Sequence, residues 1–111
     1  MKDNTLKLLI EKEINKSYNL KLKCIMALDY IDDETKSPTA KNTKTISKLL
    51  ECSNMADKMA RLNFKVFKLV NQKEYSKKYY SDLVSANTAL EKQLNSLQDK
   101  LNKITKISLE K

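Results

Sequence analysis

The sequence predicts an all-α protein: an N-terminal helical hairpin followed by a long C-terminal coiled-coil helix. Three observations carry that prediction. The 111 residues include no glycine and one proline, Pro38, and tight turns and strand hairpins lean on those two residue types. Charged residues make up 32% of the chain, and the enrichment in Lys, Glu, Leu, Asn and Ser is the profile of long helices or coiled coil. Apolar residues recur at helical spacing, and over the second half they keep one heptad frame. A chain of this length makes one domain at most, with a marginal core.

The first helix is expected over about residues 4–31. Asp3 to Thr5 supply N-cap acceptors. Leu6, Leu9, Ile10, Ile14, Ser17, Leu20, Cys24, Leu28 and Ile31 then share one face, widened by Tyr18 and Ile25. Leu8, Leu22, Met26 and Tyr30 form a smaller stripe on the opposite side, and a helix with two apolar faces usually sits between two neighbours. Residues 32–44, "DDETKSPTAKNTK", have no helical periodicity and contain the only proline, so they read as a loop. Three acids at a helix C-terminus oppose the macrodipole and help to stop the helix there. The hydroxyls of Thr35, Ser37, Thr39, Thr43 and Thr45 make this loop an alternative site of interaction or modification.

From Thr45 to about Leu109 neither glycine nor proline interrupts the chain. An unbroken helix of that length would reach ~97 Å. Placing Leu83 at heptad position d gives Leu62, Leu69, Ser76, Leu83, Leu90, Leu97 and Ile104 at d. Met59, Val66, Lys73, Tyr80, Asn87, Leu94, Leu101 and Ser108 then stand at a, and over about seven heptads the frame fails only at Lys73 and Ser76. Before the failure the apolar stripe is broad, and after it the stripe narrows to a and d, as in a coiled-coil seam. The expected division is a helical head over 1–72 and a coiled-coil stalk over 73–111. Residues 72–78 form a weakly packed join or a kink. The head core is expected to hold Ile10, Ile14, Ile25, Leu62, Phe64 and Phe67.

Tyr80, Leu83, Asn87, Leu90, Leu94, Leu97, Leu101 and Ile104 are the candidate oligomer interface. Leucine at d with one asparagine at a favours a parallel dimer, because the amide pairs with its symmetry mate only in register. The e and g positions, among them Glu91, Gln93, Gln98 and Lys100, offer few complementary charges between copies. The seam would therefore serve a homo-oligomer, a different helical protein partner or burial within the chain, the last opposed by geometry because the first helix can cover only ~42 Å of the ~97 Å helix.

Composition excludes much chemistry. Histidine is absent, which removes the commonest general base and the commonest transition-metal ligand. Cys24 and Cys52 are too few for a zinc site or a disulfide framework. Each is expected to be a buried free thiol, with an interchain disulfide as the alternative. No glycine-rich phosphate loop can form, and no cofactor or metal is expected. The longest apolar run, "CIMAL", is five residues, far below the roughly 20 needed to cross a bilayer. The N-terminal stretch does not read as a signal peptide, and a cytoplasmic location is expected.

The net charge of +8 is concentrated in the middle of the chain, where residues 41–78 hold ten Lys or Arg against three acids. Lys58, Arg61, Lys65, Lys68, Lys73, Lys77 and Lys78 are the candidate polyanion contacts, with Lys41, Lys44 and Lys48 before them and Tyr75, Tyr79 and Tyr80 beside them. Salt-sensitive phosphate contact asks for little more, and an anionic membrane surface would attract the same strip peripherally. Lysine at this density is also an ordinary solvated helix face. A basic stretch ahead of heptad leucines resembles basic-leucine-zipper transcription factors. Lys73 matches the spaced basic residue of that pattern, but Lys65 stands where the family's base-reading asparagine belongs, and the comparison fails there.

Two function classes follow: a non-enzymatic scaffold or accessory protein working through helices, and a basic nucleic-acid-binding regulator dimerised by its C-terminal coiled coil. In size and character, with stretches such as "KLLIEKEINK" and "NSLQDKLNKI", the chain is similar to the soluble accessory proteins encoded beside small membrane holins in spirochaetal prophages. That resemblance implies support of a membrane-lysis or export function without entry into the bilayer.

Overall fold

The computed structural model describes residues 3–36 and 43–109, with side chains over 4–33 and 47–104. Three long helices make up these residues: α1 (Asp3–Lys36), α2 (Thr43–Gln72) and α3 (Lys77–Leu109). Every pair of helices is in contact, and the bundle is a rod of 58 × 21 × 16 Å. Tyr18 packs on Phe67 and Lys7 lies over Tyr75, so α1 and α2 run antiparallel. Gln93 meets Met55 and Lys100 meets Glu51, so α2 and α3 do the same.

The all-α prediction therefore holds, but the arrangement differs from a hairpin with a protruding coiled-coil helix. The chain turns at residues 73–76, and α3 doubles back along both other helices. The physical reason is the seam itself. Folded back, its apolar residues are covered by α1 and α2 of the same chain, whereas an extended single helix would leave them in water.

The turn forms without glycine. Lys73 adopts φ 50°, the left-handed position that ends many helices and that glycine usually fills. For an L-residue this geometry costs roughly 1–2 kcal/mol. Ser76 offsets the cost as the N-cap of α3: its hydroxyl accepts the Tyr79 N–H at 3.1 Å, and its carbonyl accepts the Tyr80 N–H at 3.0 Å. The Tyr79 hydroxyl then donates back to the Leu69 carbonyl at 2.7 Å, with the Val70 carbonyl 3.4 Å away. One buried phenol thus satisfies the last turn of α2, where helix carbonyls lack intrahelical donors.

Both ends of the predicted loop are shorter than expected. α1 continues through Asp32 and Asp33 to Lys36, and α2 begins at Thr43. Acids in a last turn cost only about 0.3–1 kcal/mol each at an exposed site, and the buried Ile31 anchors that end of α1 against the core. Ser37 and Thr39 fall outside the described residues, as do the side chains of Thr35, Lys41, Thr43, Lys44 and Thr45.

The core runs the length of the rod. Ile10, Leu20, Cys24, Met59, Val66, Leu83, Leu90, Leu94 and Leu97 are among its buried members. The expected head core is corrected in part. Ile10 is buried and Ile14, Leu62 and Phe67 are half-buried, but Ile25 is 44% and Phe64 71% exposed. With α3 as a third helix, the core centres on Met59 and Val66 of α2, and this rotation turns Phe64 outward.

Candidate interaction face

The predicted oligomer interface lies inside one chain. Leu83, Leu90, Leu94, Leu97, Leu101 and Ile104 are buried and Tyr80 is half-buried, all within the three-helix core. Asn87 is fully buried, and its partners come from α1. Its amide Nδ2 donates to the Glu13 carbonyl at 3.0 Å and to Glu13 Oε2 at 2.9 Å. Its Oδ1 lies 2.8 Å from the hydroxyl of buried Ser17, which also lies 3.0 Å from the Glu13 carbonyl. A buried amide is costly unless bonded, so Asn87 pins the register of α3 on α1 and fills the role expected of a pair between copies.

Heptad flanks also find partners within the chain. Lys100 Nζ donates to Glu51 Oε2 at 2.9 Å, and Lys16 Nζ lies 3.7 Å from Glu91 Oε2. The Lys100 hydrogen bond, and then its charge, hold the Glu51 carboxyl below the usual carboxylate range. These pairs are solvent-exposed, and such pairs add little stability. Gln93 Nε2 donates to the Met55 carbonyl at 3.3 Å. Asn63 Oδ1 is buried without a hydrogen-bond partner. Both thiols are free and buried, and burial pushes the Cys24 thiol up to about 11, away from the reactive thiolate.

The basic residues all reach solvent, but in two groups. Lys58, Arg61, Lys65 and Lys68 are exposed along one side of α2, while Lys73, Lys77 and Lys78 are exposed at and just beyond the turn. Of the three tyrosines near them, only Tyr75 is well exposed; Tyr79 is buried and Tyr80 half-buried. Among the described residues there is no cluster of metal ligands, and no helix is long and apolar enough to cross a membrane.

Much of the opposite stripe of α1 is exposed among the described residues. Leu8 is 60%, Leu22 61% and Met26 70% exposed. Tyr30 is half-buried and, with Met26 and Lys23 of α1 and Gln98 and Leu101 of α3, lines an open groove of about 640 Å³. Toward α2 the apolar surface continues. Tyr18, Leu22 and Ile25 follow one another at i, i+4 and i+7, and the Tyr18 ring stands edge-on to Phe67 with centroids 5.3 Å apart. Lys21 Nζ lies 4.4 Å from the centroid of the same ring. One turn away on α2, Phe64 projects among Arg61, Lys65 and Lys68.

The chain has no significant match to any protein-family model, curated protein or solved structure. The surface itself carries the functional argument.

The second apolar stripe of α1 was visible in the sequence, but the exposure of Leu8, Leu22 and Met26 was not. The contribution of Phe64 was missed because a broad stripe on α2 reads as core. The usable signal was the placement of Phe64 next to Lys65 and one turn from Arg61 and Lys68, an unusual setting for a core aromatic.

Proposed function

We propose that the protein is a non-enzymatic helical adaptor that holds or positions a partner protein by taking one of its helices along the outer face of α1 and α2. The observation that carries this reading is the exposure of Leu22, Met26 and Phe64, at 61%, 70% and 71%. Clusters of exposed large apolar side chains with polar rims mark interaction surfaces, and a helix laid on a groove uses apolar anchors at i, i+3, i+4 and i+7.

Charge narrows the partner. Lys21, Arg61, Lys65 and Lys68 rim the patch, so the docking helix carries acids on its flanks. A second copy of this face would set like charges against each other across a two-fold axis. Glu11 and Asp29 lie on the same line of α1 as Leu22, and Asp57 lies two turns from Phe64 on α2. That mixture of signs suits a patterned helix better than a uniformly anionic bilayer.

Selection of helical peptides from a displayed library against the intact chain tests the reading. Enriched peptides are expected to carry a Leu, Ile or Phe stripe flanked by Asp or Glu, and to lose binding about tenfold or more against Phe64→Ser with Leu22→Ser. No enrichment, or binding that ignores both substitutions, would overturn it.

A second reading, contact with single-stranded nucleic acid, is favoured by the sharing of one side of α2 by Phe64 and four cations. Its mark would be retention on an oligonucleotide that falls steeply with salt. Service to a phage-type lysis protein is the finer form of the adaptor role that the resemblance implies. Co-expression with a holin, read as lysis timing and holin level, tests it, and no change in either would exclude it.

A further inference from the structure

We infer that α3 exchanges between two copies of the chain. Residues 73–76 open into helix, α2 and α3 become one rod, and each α3 completes the bundle of the other copy in an antiparallel domain-swapped dimer. The first support is the phase of the seam. Half-buried Met55, Leu62 and Leu69 of α2 and buried Leu83, Leu90, Leu97 and Ile104 of α3 occupy a single heptad position whose spacing by sevens is kept across the turn, where polar Ser76 fills it. Two arms of a helical hairpin need no common phase. A continuous helix whose two halves meet one antiparallel partner does.

The second support is the turn. It contains no glycine or proline to oppose helix, and Lys73, Glu74, Tyr75 and Ser76 are all exposed. Closure holds Lys73 at φ 50°, a geometry that opening relieves. What favours the closed form locally is the Ser76 cap and the Tyr79 bond to the end of α2. The turn is therefore a hinge with opposing local preferences, the situation in which domain swapping arises at little cost.

The pairing survives exchange. Gln93 with Met55 and Lys100 with Glu51 are placed nearly symmetrically about Glu74 and Tyr75. A two-fold axis at that point restores the same pairs between copies, along with the Asn87 contacts to Ser17 and Glu13. The rod from residue 43 to residue 109 would be ~100 Å long, against 58 Å for the closed bundle. The inference does not rest on the adaptor reading; if both hold, the dimer presents two docking faces.

The test is refolding of the intact chain at millimolar and micromolar concentration, followed by light scattering on a sizing column and small-angle scattering. Expected is a dimer fraction at high concentration whose longest dimension approaches twice that of the monomer. Lys73→Gly, which removes the left-handed penalty from the closed form, should lower that fraction about tenfold or more. Ser76→Ala, which removes the cap, should raise it. A wild-type chain that stays monomeric after refolding at millimolar concentration overturns the inference, as does a compact dimer indifferent to both substitutions. If either variant fails to fold, judged by circular dichroism, the wild-type result decides alone.

Discussion

The inner stripe of α3 and the outer stripe of α1 are alike in composition and opposite in fate. Leu90 and Leu97 are fully buried against α1 and α2, while Leu22 and Met26 are 61% and 70% exposed. Both stripes are leucine-rich lines at helical spacing, and neither announces its partner. What separates them is the polar chemistry around each. The α3 stripe contains Asn87, whose amide finds Ser17 and Glu13 within the chain. The α1 stripe is bordered by cations, and beside it Lys21 lies over Phe67 of α2 and Lys7 over Tyr75 of the turn. The lesson is that an apolar stripe fixes the need for a partner, and the polar groups set into it show where that partner comes from.

Substitutions in the two stripes should diverge most. Leu90→Ala removes a fully buried side chain and is expected to cost about 2–5 kcal/mol in urea unfolding. Leu22→Ser on the outer stripe should change stability by less than about 0.5 kcal/mol. Equal losses at the two sites would break the distinction between them.

Next in size is the polar pin. Asn87→Ala removes the bonds to Ser17 and Glu13 and leaves a void, with an expected cost of about 1–3 kcal/mol. Asn63 sharpens the contrast, since its Oδ1 is already buried without a partner. Asn63→Leu is expected to raise the melting temperature, by about 1 kcal/mol of stability. A loss there and a gain at Asn87 would reverse the roles given to the two amides.

The turn adds a smaller effect with a pH signature. Tyr79→Phe deletes the bond to Leu69 and should cost about 1 kcal/mol. Burial first, and then the charges of Tyr75 and Glu74, raise the Tyr79 phenol above its ordinary 10.0. The folded chain therefore favours the protonated phenol. Its contribution is complete below pH 10 and is lost as pH rises through the folded value. Cys24 behaves in the same direction between its ordinary 9.0 and about 11. Alkaline titration of unfolding should show both losses in the wild type, and the loss due to the phenol should vanish in Tyr79→Phe.

Much of this architecture was legible in the residues. The heptad frame picked out Leu83, Leu90, Leu94, Leu97, Leu101 and Ile104, all of them buried, and the all-α class followed from missing glycine. The turn was not legible for the same reason. A left-handed residue was expected to be glycine, and here Lys73 takes the position with Ser76 and Tyr79 compensating. Its trace was the failure of the frame at those two polar residues. The partner of Asn87 was hidden because a heptad describes one helix, while Ser17 and Glu13 lie some 70 residues away in sequence. Ser17, the one polar residue in an apolar line of α1, was the available hint. The outer stripe was noticed, but burial by a neighbour was the natural expectation until the neighbours were counted in space.

The central claim is that α3 completes the bundle formed by α1 and α2, and truncation after Gln72 tests it most directly. The measurement is far-UV circular dichroism of the shortened chain followed through a thermal melt. Loss of the α3 side uncovers the inner faces around Met59, Val66 and Leu20. The shortened chain should therefore melt without a cooperative transition and with much of its helix gone. A truncated chain that keeps full helix per residue and melts cooperatively near the intact temperature would contradict the account, because residues 1–72 would then be a domain in their own right.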